Sequence, residues 1–143
     1  MNTSLAIFLH SHHYDRVYQA TSMLLAATSM GWPCHVFLFH QALAAYVEGT
    51  WDDTDSIGRG SPLERSEWSQ RLQKGFETSN VPSLYDMLDK AREGEGTLTV
   101  YACSASVKVL GLDMPIVRDK VDEIVGLPTM LEIAGGVTHT LYI

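Results

Sequence analysis

Short, nearly continuous apolar runs alternate along the chain with stretches whose apolar positions recur every three to four residues. Residues 4–10 (Ser-Leu-Ala-Ile-Phe-Leu-His) are almost unbroken in their apolarity, the mark of a strand covered on both faces of a parallel sheet. Asp15 suits the cap of a following helix in which Val17, Ala20, Leu24 and Ala27 repeat with helical spacing, and Gly31 with Pro33 ends it. Residues 34–40 (Cys-His-Val-Phe-Leu-Phe-His) repeat the strand signature, and 41–48 read as a helix. The chain thus opens as βαβα.

Between residues 49 and 80 the pattern changes. Trp51-Asp52-Asp53-Thr54-Asp55, Gly58-Arg59-Gly60 and Ser61-Pro62 signal loop, and an amphipathic stretch carrying Trp68, Leu72 and Phe76 follows. This segment reads as a mobile insertion followed by a helix. Pro82 fits the first turn of another helix, with Leu84, Leu88 and Ala91 on one face and Gly94-Glu95-Gly96 as its terminator. A third strand is expected at 97–102, then a short helix ended by Gly111. The remainder predicts a short strand at 115–117, a small helix around 119–125, a helix at 128–134 and a last strand at 137–142. Such alternation implies an α/β fold, with helices on both faces of a parallel sheet. No repeat, heptad or linker divides the chain, so residues 1–143 are read as one domain with an insertion at about 49–80.

A chain of 143 residues can bury about two-thirds of the surface its unfolded form exposes, enough for a core without disulfides or metal staples. Seventeen acidic against ten basic residues, a formal net charge of −7, supply no basic stripe for phosphates, which disfavours nucleic-acid partners. No stretch approaches the roughly 20 apolar residues that span a bilayer, and Met1-Asn2-Thr3-Ser4 does not open a signal peptide. The expectation is a soluble, cytoplasmic protein with no membrane partner. Two cysteines are too few for a stapled secreted framework. Cys34 opens its strand and Cys103 closes its own, so parallel strands hold them at opposite sheet edges and no bridge between them is expected.

Parallel α/β sheets place their sites at the carboxyl ends of strands. Here those ends carry His10 with Ser11-His12-His13, His40 with Gln41, and Cys103 with Ser104. A thiol where a strand turns into a helix meets unpaired N–H donors and the positive end of a helix dipole, and both favour thiolate. Cys103 is therefore the candidate reactive residue, supported by the amides around Ser104 and Ser106. Either His10 or His12 is the imidazole expected to stabilise its sulfur, and His40 is a further supporting candidate. His35 and His139 fall at the wrong strand positions. Cys34, beside Trp32-Pro33, reads as core packing.

Other chemistries fit less well. The histidine spacing is not specific for a metal, and no metal or cofactor is assigned. The first strand-to-helix turn has neither the glycines nor the lysine of a nucleotide site, and Ser104 and Ser106 lack the Gly-x-Ser-x-Gly elbow. Asp52, Asp53 and Asp55 read as a solvated acidic loop without calcium-loop spacing. Trp51 and Trp68 read as packing residues that anchor the insertion to the core or to another subunit.

The apolar first strand, the strand at 34–40, the segment Val100-Tyr101-Ala102-Cys103-Ser104-Ala105-Ser106-Val107-Lys108-Val109-Leu110-Gly111-Leu112 and the closing Gly126-Leu127-Pro128-Thr129-Met130-Leu131-Glu132 together resemble the DsrE/DsrF-like family. The resemblance covers nearly the whole chain except about 49–80 and is strongest around Cys103. It implies a three-layer α/β/α sandwich with a five-stranded parallel sheet, assembled as a homo-oligomer. It also implies a sulfur-relay role, a sulfurtransferase or persulfide carrier in which Cys103 accepts sulfane sulfur and exchanges it with a small TusA-like carrier protein. This chain departs from the family in its histidine-rich first turn and in the insertion. The competing expectation is a non-enzymatic metal- or small-molecule-binding regulatory module of the same fold.

Overall fold

The computed structural model describes residues 2–143. Its chain order is β1 (Leu5–Leu9), α1 (Tyr14–Ser29), β2 (Pro33–Leu38), α2 (His40–Glu48), a 3-10 turn (Thr54–Ser56), α3 (Pro62–Thr78), α4 (Leu84–Arg92), β3 (Thr97–Cys103), α5 (Ser104–Val109), α6 (Met114–Lys120), β4 (Glu123–Val125), α7 (Leu127–Gly135) and β5 (His139–Tyr142). The five strands form one parallel sheet in the order β4-β3-β2-β1-β5. This is the parallel sheet with helices on both faces that the alternating pattern implied, and its five strands are the number that the resemblance implied.

Strand order and handedness decide which face each helix covers. From β1 to β2, β3 and β4 the chain always steps to the neighbouring strand in one direction, and right-handed crossovers then lay the connecting helices on one face. That face is thick. Ile7, Leu9, Val36, Leu38, Val100 and Ala102 point into it and pack with residues of α1, α2, α4, α5 and α6. At about 1.5–3 kcal/mol for each large side chain removed from water, this cluster is the main source of stability. The last crossover, from β4 back across the sheet to β5, runs in the opposite direction, so its helix lies on the other face. There α7 alone covers Ala6, Phe8, Phe37, Tyr101 and Cys103, with Met130 as its fully buried contact.

The insertion is folded as a turn and a long helix. A capping box starts α3: the Glu64 N–H donates to Ser61 Oγ (3.2 Å) and the Ser61 N–H to Glu64 Oε2 (2.6 Å). Trp51 joins the core, 1 % exposed, stacked on Tyr85 and donating from Nε1 to the Ala42 carbonyl at 3.1 Å. Trp68 does not, being 52 % exposed. The aspartates at 52, 53 and 55 are exposed, as a solvated loop requires, yet each also accepts a hydrogen bond, from Leu84 N, Asp55 N and Ser69 Oγ respectively.

Four expectations are corrected. Pro82 precedes Ser83, the cap of α4, and so lies outside that helix's first turn. Residues 115–117 are not a strand: they lie in α6, where Asp113 caps the Ile116 N–H and Pro115 occupies the first turn. The fourth strand is instead Glu123–Val125, inside the stretch read as a helix around 119–125. Three residues are too few to display a strand period. Asp15 lies in the first turn of α1, whose cap is His13.

Candidate functional site

Cys103 is at once the last residue of β3 and the cap of α5, with extended backbone (φ −70°, ψ 118°). Because side chains alternate along a strand, Tyr101 and Cys103 face α7, whereas Val100 and Ala102 face the thick side. Cys103 pairs with Val125 across β3 and β4; α5 begins at the residue after Cys103, and α7 after the single cap residue Gly126 that follows Val125. Neither helix start has a side-chain cap, so the unpaired N–H groups of α5 and α7 emerge side by side at this edge. A side-chain carbon at Gly126 would lie 3.9 Å from Ser104 Oγ.

Strands β3 and β4 send their helices to opposite faces, since Val107 of α5 packs in the thick layer and Met130 of α7 in the thin one. Adjacent strands that diverge in this way form the crevice where open α/β sheets place ligands. Cys103 stands at that switch point. Its residue is 5 % exposed, packed in the cluster of Phe37, Tyr101 and Met130, while Ser104 and Ala105 next to it are exposed. Beside the turn runs an open groove of about 570 Å³ lined by Ser104, Met114, Arg118 and Ile124.

The supporting residues divide into two groups. Ser106, 1 % exposed, accepts a hydrogen bond from the His40 N–H at 3.0 Å and so ties the start of α2 to α5. His40 adopts φ 42°, a left-handed backbone that costs a non-glycine residue about 1–3 kcal/mol and is concentrated at functional sites. Ser104, Ser106 and His40 thus gather around the Cys103 turn. His10 and His12 do not. They follow β1, two strands from β3, which is about 9–10 Å at the usual strand spacing. His10 bonds through its backbone to Ile143 and Ala42, and the His12 ring lies tilted against that of His13, 4.6 Å between centres, with its Nδ1 buried and unpartnered. Among the described residues no side chain hydrogen-bonds the Cys103 sulfur, and no three of His, Cys, Asp and Glu converge on a point that would hold a metal ion.

Cys34 is fully buried at the start of β2 on the thick face, where Sγ contacts the Trp32 carbonyl at 3.5 Å and burial pushes the thiol up to about 11. Both cysteines are free thiols. Reading single residues missed the second wall of the crevice, Gly126 and the start of α7. Its signal was present in Gly126-Leu127-Pro128, a helix start with proline in the first turn. Among the described residues no helix is long and apolar enough to cross a membrane. Comparison with protein-family models and with curated proteins found no match to this chain.

Proposed function

We propose that the protein is a sulfur-relay component that carries sulfane sulfur as a persulfide on Cys103. The observation that carries this reading is the place of Cys103 at the β3–β4 switch point, between two helix starts whose amides no side chain occupies. Amides in that arrangement stabilise a sulfur anion, whether thiolate or persulfide.

The Cys103 thiolate attacks the outer sulfur of a donor persulfide. The donor's S–S bond breaks, its inner sulfur leaves as a thiolate, and Cys103 becomes Cys–S–SH. An acceptor thiolate then attacks the terminal sulfur, the Cys103 S–S bond breaks, and the Cys103 thiolate returns. Neither step changes the overall oxidation state, so no second cysteine of this chain is needed. Because Cys103 is 5 % exposed, donor and acceptor reach it only when the thin α7 layer yields beside the Ser104 groove. A small TusA-like carrier protein is the proposed partner, in the reducing cytoplasm. Self-association is proposed through the α7 side, where Leu127, Leu131 and Tyr142 are exposed.

The test loads the protein with polysulfide and weighs it intact. A +32 Da adduct on the wild type that is absent from Cys103→Ser, and that an added thiol removes, is the expected result. An adduct retained in Cys103→Ser overturns the assignment.

A further inference from the structure

A cavity of about 620 Å³ lies away from Cys103, between the first half of α1 and the outer helix α3. That volume falls in the range of clefts that take drug-sized ligands. The reason for the gap is visible in how α3 is held. Its middle is tied to the 3-10 turn by polar links, Thr54 Oγ1 to Ser69 Oγ at 3.0 Å, Ser69 Oγ to Asp55 at 2.9 Å and Gln73 to Thr54 at 3.2 Å. Towards α1 the contact is aromatic, with Phe76 edge-on to Tyr14 at 5.7 Å. The helix therefore stands off its neighbour, and Tyr18 and Trp68 remain 43 % and 52 % exposed along the opening.

The polar groups of this cavity are not those of a general surface. In a chain of net charge −7, three of the ten basic residues, Arg16, Arg59 and Arg71, line this one apolar space against a single acid, Asp15. None of the three makes an ion pair, since among the described residues the one salt bridge is Arg92 to Asp122. The Arg71 guanidinium lies 5.0 Å from the centre of the Trp68 ring. Tyr14 gives an independent sign. It lines the cavity and is 4 % exposed, yet its hydroxyl has no hydrogen-bond partner among the described residues. Burial, then the carboxylate of Asp52 and the neighbouring Tyr18, push that hydroxyl up to about 12, so it keeps its proton as a donor. With no protein acceptor engaging it, that hydroxyl is free to donate to a ligand oxygen in the cavity.

We propose that this cavity binds a small organic anion, its flat apolar body between the aromatic walls and its carboxylate- or sulfonate-like head held by the guanidiniums. Charge complementarity selects the class: the walls want an aromatic body, and three unpaired cations want a negative head. The proposal is independent of sulfur chemistry at Cys103.

The probe is 8-anilinonaphthalene-1-sulfonate, compared by fluorescence titration with its uncharged counterpart N-phenyl-1-naphthylamine. One site per folded chain is expected, with the sulfonate bound about tenfold more tightly than the neutral dye, the effect of one charge-assisted contact. Arg16→Gln combined with Arg71→Gln abolishes that preference, whereas the charge-matched pair Lys90→Gln with Lys120→Gln keeps it; circular dichroism melts establish that both variants are folded. Equal affinity for the two dyes, or an unchanged sulfonate affinity in the double arginine variant, overturns the proposal. So does a dimer in sedimentation that Trp68→Ala dissociates, because a second copy then fills the cavity.

Discussion

Cys34 and Cys103 stand on neighbouring strands of one sheet, both buried and both free thiols, and differ in the face they point to and in the end of the strand they occupy. Cys34 pairs with Leu98 at the amino ends of β2 and β3, and Cys103 lies five residues further along β3, roughly 16 Å away at strand rise. One points into the thick layer beneath five helices, the other into the thin layer beneath α7. Strand direction explains the contrast. Carboxyl ends feed helix starts, where amides are unpaired, while amino ends receive chain from helix stops, where carbonyls are unpaired. The carbonyl beside the Cys34 sulfur is that of Trp32, in the short connection between α1 and β2. A thiol's place along the strand decides which backbone groups lie near it before any side chain is considered.

The two faces make the comparison breakable. Met130→Ala removes the buried anchor of α7 and is expected to cost about 2–4 kcal/mol, the usual range for a large-to-small core change. Leu88→Ala, on α4 in the thick layer, should cost about as much. Only the first should speed alkylation of Cys103, by about tenfold through local opening, with Cys34 unchanged in both. Equal acceleration in the two variants would mean that α7 is not the gate.

Alkaline titration sharpens the contrast further. Burial pushes the Cys34 thiol from 9.0 to about 11, so the unfolded chain gives up that proton first. Stability from this group is intact below about pH 9 and falls as pH rises towards 11. Burial raises the hydroxyls of Tyr14, Tyr46, Tyr85 and Tyr101 as well, and they act in the same direction. Denaturant melts across this window should show a shallower decline for Cys34→Ala than for the wild type. Matching slopes would remove the distinction.

The smallest effect concerns the tie between α2 and α5. Ser106→Ala leaves the His40 N–H without its acceptor and should cost about 1 kcal/mol, or about 3 °C in a thermal melt. The same change made at exposed Ser104 should leave the melt unmoved.

Much of this architecture was legible because a strand buried on both faces, such as Leu5–Leu9 or Thr97–Cys103, has an apolar run with few other readings. The Cys103 turn was legible for the same reason, since the run stops there and a helix begins. What escaped depended on partners distant in sequence. The pairing of Val125 with Cys103 is fixed by the sheet order and by nothing local, so β4 was misplaced and Gly126 overlooked. His10 and His12 were placed near the cysteine because they too follow a strand, but strand order in a sheet is not written in spacing. The arginine-lined cavity draws on α1 and on the insertion with its helix α3, stretches brought together only by folding.

The measurement closest to the central claim is peptide mapping after sulfane loading. The folded chain is treated with polysulfide, trapped with an alkylating agent, digested and sequenced by tandem mass spectrometry. The account predicts the additional sulfur on the peptide containing Cys103 and a plain alkylated thiol at Cys34. Sulfur found on Cys34, or on neither peptide, contradicts it.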